Sequence, residues 1–354
     1  MQTHITQGAG EVIEVTPCST LEAFRQRLFD APGESEDARR AAEARQAALI
    51  KPAGALGRLE HLASWVAAWQ DSDPPRAERI RVVVFAGSHG IAGRGVSLYP
   101  TSVTRQMVAS FHRGHAAINQ LCRSIGADLE VVPLDVDTPT ADFAETAAMT
   151  GDEFLAALNA GFAAAEACDL LCLGEMGIGN TTAAAALSHA LFGGTAAAWT
   201  GAGTGIDADR RMRKIAIVGE AVARHRDAAS DALDLLRRLG GRELAAIAGA
   251  IVGARLRRVP VILDGYATTV AAAPLAFLRP DALAHCLIGH LSTEPGHRLV
   301  ADMLDMQPLL DLGLHLGEAS GAALAAGMVK AAVACHTGMA TFAEAGVDGA
   351  DVAR

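Results

Sequence analysis

The chain has 354 residues, 51% hydrophobic but only 4% aromatic, with a formal net charge of −10. An apolar mass built from Ala, Leu, Val and Ile suits helices packed on a parallel sheet, in one large α/β unit with room for a small satellite. The negative balance, with no Lys/Arg-rich block, excludes nucleic-acid binding and adhesion to an acidic membrane as the main task.

Asp, Glu, Arg and Gly break every apolar run before it reaches the length of a membrane span. The opening MQTHITQGAGEVIEVTP lacks a basic segment followed by an apolar one. Residues 1–19 therefore read as a loose leader rather than a secretory signal, and the expected location is the cytoplasm. Cys18, Cys122, Cys168, Cys172, Cys286 and Cys335 follow no metal-ligand spacing and are expected as free thiols.

Helical patterns come first, at Leu21–Phe29, Glu36–Leu49 and Leu56–Trp69. Pro52 and Gly54 break the last two apart. Lys51 and Arg58 beside that break can reach an anionic ligand or simply face solvent. Asp71-Ser72-Asp73-Pro74-Pro75 is a linker. Ile80–Ala86 is a β-branched run, hence a buried parallel strand, and Ser88-His89-Gly90 follows at its C-terminal end, where open α/β sheets place ligands. Ile91–Pro100 is a loop, Thr104–Phe111 and His115–Ile125 are helical, Leu129–Leu134 is a strand, Asp152–Ala167 a helix and Asp169–Leu173 a strand.

That last strand runs into Gly174-Glu175-Met176-Gly177-Ile178-Gly179-Asn180-Thr181-Thr182 and an alanine-rich helix. A strand that ends in glycines and turns into a helix offers close backbone approach, free N–H groups and a positive dipole end, which suits a phosphate. It is also the form of an ordinary strand-to-helix turn. No Lys follows the last Gly, so this is not an ATP P-loop, and the spacing is not G-x-G-x-x-G. Glu175 would repel phosphate, so it falls to another part of a ligand, such as a ribose hydroxyl. A second glycine run, Thr200–Gly205, precedes a helix over Asp207–Ala228 that carries Arg210, Arg211, Arg213 and Lys214. Cations there oppose the helix dipole. One of them pointing back to the glycines would hold a phosphate.

A helix over Glu243–Leu256 comes next, then a strand over Pro260–Leu263 that ends at Asp264-Gly265. His285–Ile288 is a strand leading into Gly289–Arg298, and helices are expected around Leu309–Leu314 and over Gly321–Phe342. His89, His290 and His297 are not spaced as a metal cluster, so hydrogen-bonding roles are expected for them and no metal. The repeated strand–helix alternation predicts a mostly parallel sheet with helices on both faces, Rossmann-like, over residues 76–320. The helix-only ends, 20–75 and 321–354, are expected to form a small helical domain. The ligand site should lie along the C-terminal edge of the sheet.

Glu318 sits between Gly317 and Ala319-Ser320-Gly321, just ahead of a helix. It is either a dipole partner of that helix or a site carboxylate in a tight pocket. The blocks KPAGALGRLE, SHG after VVVFA, GVSLYP, VTRQMV, GEMGIGNTT, TGAGTG, LDGY, GHLSTEPGH and LGEASGAAL occur in this order from about Lys51 to His336. Together they resemble the nicotinate-nucleotide:dimethylbenzimidazole phosphoribosyltransferase family, which acts in cobalamin nucleotide-loop assembly. The resemblance implies transfer of phosphoribosyl from nicotinate mononucleotide to 5,6-dimethylbenzimidazole, with no cofactor and in a homodimer. It places catalysis on Glu318. Nucleotide and phosphate binding fall on Glu175, Gly177, Gly179, Asn180, Thr181, Gly201, Gly203 and Lys214. The base pocket falls on Ser88, His89, Tyr99, Gln106, Met107 and Leu316. Two departures stand out: Ser88 where the family turn usually has Asp, and Ala55 where Ser is usual.

The chemistry asks for one general base, because the leaving pyridinium departs as a neutral ring while the incoming benzimidazole must lose a proton. The helix after Glu318 is expected to keep its carboxylate ionised. A nicotinamide-dependent oxidoreductase would need G-x-G-x-x-G after the first strand, which is absent. A non-catalytic nucleotide-binding or sensor protein on the same fold would keep the glycine loops and lose the base.

Overall fold

The computed structural model describes residues 16–348. Five strands, β1 (Ile80–Gly87), β2 (Asp128–Leu134), β3 (Leu170–Met176), β4 (Val261–Leu263) and β5 (Cys286–Ile288), form one parallel sheet in the order β2-β1-β3-β4-β5. The chain steps outward from β1 to β2, then returns to the other side of β1 for β3. The strand order therefore reverses between β1 and β3, and a crevice opens there at the carboxyl ends. Phe85 is level with Glu175, and Leu173 with Leu263, so the strands finish together along that edge.

Alternation along each strand divides the core into two layers. Val83, Phe85, Leu171 and Leu173 face helices Gly151–Ala164, Asn180–Phe192, Arg242–Leu256 and Tyr266–Leu278. Val82, Val84, Leu170 and Cys172 face helices Arg58–Gln70, Ala117–Ile125 and Ser320–Gly338. The low aromatic content has a structural counterpart in how closely these helices pack. A Cβ on Gly161 would lie 1.7 Å from the Ala246 carbonyl oxygen, and one on Gly249 would lie 1.9 Å from that of Leu158. The two helices meet backbone to backbone, at a distance only glycine permits.

The helix Glu36–Ala48 packs on Arg58–Gln70, which packs in turn on Ser320–Gly338. Arg45 ties the first of these to the last through the carbonyls of His336, Thr337 and Met339. Among the described residues no helix is long and apolar enough to cross a membrane. All six cysteines are free.

Three differences from the sequence reading have physical causes. The segment expected to be helical around Leu309–Leu314 is extended. Its amides Leu309 and Leu310 donate to Ile288 and Gly289, and Leu310 bridges His290. Gly313, at φ +67, turns the chain in a way that ends any helix there. The helix expected over Gly321–Phe342 stops at Gly338, and a separate turn follows at Phe342–Ala345. Helices at Ala232–Leu239, Tyr266–Leu278 and Pro295–Met303 were not anticipated. The second of these is buried on nearly every side and contains Pro274, so it shows no amphipathic period.

Candidate active site

A cavity of about 820 Å³ opens at the carboxyl edge of the sheet. Its wall comes from loops after every strand except β2, together with residues 202–205 and 315–318. Glycines bring those loops together. A Cβ on Gly174 would lie 2.1 Å from the Ala319 nitrogen, and one on Gly317 would lie 2.8 Å from Glu175 Oε1. The end of β3 is thus pressed against the segment that carries Glu318.

Glu318 is on the wall and 5% exposed. Both it and Ala319 are left-handed, at φ +70 and +64. Two such residues in succession, neither a glycine, are costly and persist only where surrounding contacts hold them. One contact is the Glu318 amide, which donates to the Glu175 carbonyl at 3.0 Å. The helix begins only at Ser320, and its leading amides are already taken. Gly321 and Ala322 donate to Asp264 Oδ1 at 2.7 and 3.0 Å. Asp264, not Glu318, is the carboxylate on that helix end.

This corrects the expectation that the helix keeps Glu318 ionised. Burial pushes its carboxyl up to about 7, and the neighbouring Asp264 charge adds to the rise. Burial also lifts Asp264 to about 7, against the pull of its backbone hydrogen bonds. Glu175 goes furthest, to about 8, through burial first and the charge of Glu243 second. A set of carboxyl groups poised near neutrality in one cleft marks a place for proton transfer.

Asn180 donates its side-chain amide to Glu175, and its carbonyl accepts from the Thr181 amide at 2.6 Å. Four amides of the turn, at Ile178, Asn180, Thr181 and Thr182, are bonded within the chain. Lys214 is fully buried and points back as the sequence suggested: Nζ donates to Thr181 Oγ1 at 2.9 Å. Burial lowers its ammonium to about 8. Lys214 lies behind Gly203 and Thr181 rather than on the wall. Glu294 was not singled out from sequence; its Oε1 accepts from the Gly203 amide at 2.8 Å. Its place within GHLSTEPGH was the available signal.

Of the residues named from sequence, Glu318, Glu175, Gly177, Gly179, Asn180, Thr181, Gly203, Tyr99, Met107 and Leu316 line the cavity together. Gly201 packs against Glu294 just off the wall. Gln106 is exposed on the helix Ser102–His112. Ser88 is buried away from the cavity and donates to the Val136 carbonyl at 2.6 Å, a bond an ionised Asp has no proton to make. His89 is fully buried beneath the glycine turn.

A parallel α/β sheet with glycine turns, a buried lysine and near-neutral carboxyl groups at one edge matches a known class of transferase. A family model described as phosphoribosyltransferase covers residues 31–347. The nicotinate-nucleotide–dimethylbenzimidazole phosphoribosyltransferase of Mesorhizobium japonicum is 52% identical, over 94% of this chain and 99% of its own. The protein of the same name from Ruegeria pomeroyi is 56% identical, over 92% and 97%. The crystal structure of CobT from Thermus thermophilus superposes with a TM-score of 0.84 at 41% identity, over 88% of this chain and 99% of that one. The chain belongs to the nicotinate-nucleotide–dimethylbenzimidazole phosphoribosyltransferase family.

Proposed function

We propose that the enzyme transfers the phosphoribosyl group of nicotinate mononucleotide to 5,6-dimethylbenzimidazole, giving α-ribazole 5′-phosphate and nicotinate, with Glu318 as general base. A ring nitrogen of the benzimidazole attacks C1′ of the ribose. The bond from C1′ to the pyridinium nitrogen breaks, and its electron pair neutralises the departing ring. Attack from the opposite face turns a β-linkage into an α-linkage. The other ring nitrogen, made acidic by the new positive charge, gives its proton to Glu318. The observation that carries this reading is a buried carboxyl on the cavity wall lifted to about 7, where a base is both ionised and able to hold a proton. Carboxylates around the cleft also favour a transition state with positive charge on the ribose ring.

The phosphate does no chemistry and serves as an anchor. Lys214, Thr181 and the Gly201–Gly205 turn are assigned to it, Glu175 and Asn180 to the ribose, and Tyr99, Met107 and Leu316 to the flat base. A homodimer is carried over from the family likeness. The test is product analysis with nicotinate mononucleotide and a panel of benzimidazoles, purines and phenols. Formation of an α-linked riboside phosphate with equimolar nicotinate supports the reading. Binding of the nucleotide without turnover would favour the sensor alternative.

A further inference from the structure

Beneath the cavity floor lies a buried polar couple that the chemistry above does not use. His89 follows β1, and Glu243 is in the first turn of the helix Arg242–Leu256; both are fully buried. His89 Nε2 donates to Glu243 Oε1 at 2.6 Å. His89 Nδ1 and Glu243 Oε2 have no protein partner among the described residues. Half-satisfied buried polar pairs are a poor source of stability, and fixing a geometry is their better-attested use.

The geometry fixed here is that of the glycine turn. A Cβ on Gly87 would lie 2.4 Å from Glu243 Oε2, and one on Gly241 would lie 2.3 Å from His89 Cε1. On the turn itself, a Cβ on Gly177 would meet His89 Nε2 at 3.1 Å, and one on Gly179 would meet His89 Cβ at 3.0 Å. Three separate chain segments thus place glycines against one couple. The turn it supports carries Glu175 at one end and Asn180 at the other. Glu243 is also the strongest charge acting on Glu175, ahead of Asp264 and Glu318.

We infer that His89 and Glu243 are positioning residues for the nucleotide half of the site: the couple fixes the Gly177–Gly179 turn and acts on bound nucleotide through Glu175. This rests on the assignment of Glu175 to the nucleotide. Glu175 is faced by Glu243 from its helix, Asp264 from the end of β4, Glu318 from the segment before the last long helix, and the Asn180 amide. Removing the Glu243 charge leaves two carboxyl groups still acting, so its effect on Glu175 is partial.

The test is calorimetry with nicotinate mononucleotide alone, which needs no turnover and so stands or falls apart from the assigned reaction. Glu243→Gln keeps the side chain's size and an acceptor for His89. Its Kd for the nucleotide is expected to weaken about tenfold, the scale of a modest misplacement of binding groups, while the Kd for dimethylbenzimidazole stays within about twofold. In a Glu175→Gln background the same substitution is expected to change the nucleotide Kd by less than about twofold, because the two act in series. Should Glu243→Gln fail to fold, His89→Gln, which keeps an amide donor toward Glu243, must reproduce the nucleotide-specific loss. Unchanged nucleotide affinity, equal loss for nucleotide and base, or an additive effect in the double variant each overturns the inference.

Discussion

At Glu318 two local costs coincide: a left-handed backbone and a carboxyl withdrawn from water. The backbone is held by the Glu175 carbonyl and by the Asp264 cap on the following helix, while the buried carboxyl shows its cost as a raised value. A base must be ionised to accept a proton, so turnover is expected to rise with pH through about 7 and to fall below it. The pH profile of kcat/KM, which reports the free enzyme, checks this. Behind the Thr181 and Gly203 stretch of the wall, Lys214→Ala is expected to raise the KM for nicotinate mononucleotide far more than that for the base; an unchanged nucleotide KM removes Lys214 from the anchor. Glu318 stands out in the sequence because it lies in a short glycine-bounded block, whereas Lys214 is one of four cations on its helix and only the family resemblance singles it out. Asp264 as the helix cap and Glu243 as the partner of His89 do not stand out. Those pairings join residues 57 and 154 positions apart, and no local pattern records them.

The strands are legible as short β-branched apolar runs, because a parallel sheet covered by helices buries both faces of each, and the amphipathic helices are legible from one buried face at a regular period. The pattern fails where burial is all-round, as in Tyr266–Leu278, or where partners are distant, as in the extended segment at Leu310 that extends the sheet edge. Glycine contacts between helices are equally silent in sequence, since a glycine in a helix reads only as a weak breaker. They matter nonetheless. Gly161→Ala would drive a methyl into the Ala246 carbonyl, so the helices Gly151–Ala164 and Arg242–Leu256 must part. Overpacking of this kind costs about 1–3 kcal/mol, expected as a lower midpoint in denaturant with activity retained in the folded fraction. A midpoint equal to wild type would mean the pair is looser than its geometry indicates.

Across the whole molecule, the β2-β1-β3-β4-β5 order places the crevice at the β1–β3 reversal, and the chain brings its carboxyl groups there from the ends of β3 and β4 and from residues 315–318. Strand succession predicted the parallel sheet, but it could not give the order of the strands. Gathering those groups has a global consequence. Glu175, Asp264 and Glu318 all have folded-state values above the ordinary carboxylate range. Below about 6.5 the buried His225, His285, His290, His297 and His336, whose values burial lowers, act in the opposite sense, so the carboxyl groups dominate between about 7 and about 8, and there the stability of the ligand-free protein is expected to decline as pH rises. Glu175→Gln should flatten the decline, as followed by denaturant unfolding at a series of pH values. The most direct measurement on the central claim is the turnover of Glu318→Gln with nicotinate mononucleotide and dimethylbenzimidazole, alongside its nucleotide Kd. The glutamine keeps the shape of the side chain but cannot take the ring proton. Turnover is expected to fall by about a hundredfold to ten-thousandfold with nucleotide binding unchanged. Turnover close to wild type would mean that the proton leaves by another route and that Glu318 only shapes the pocket.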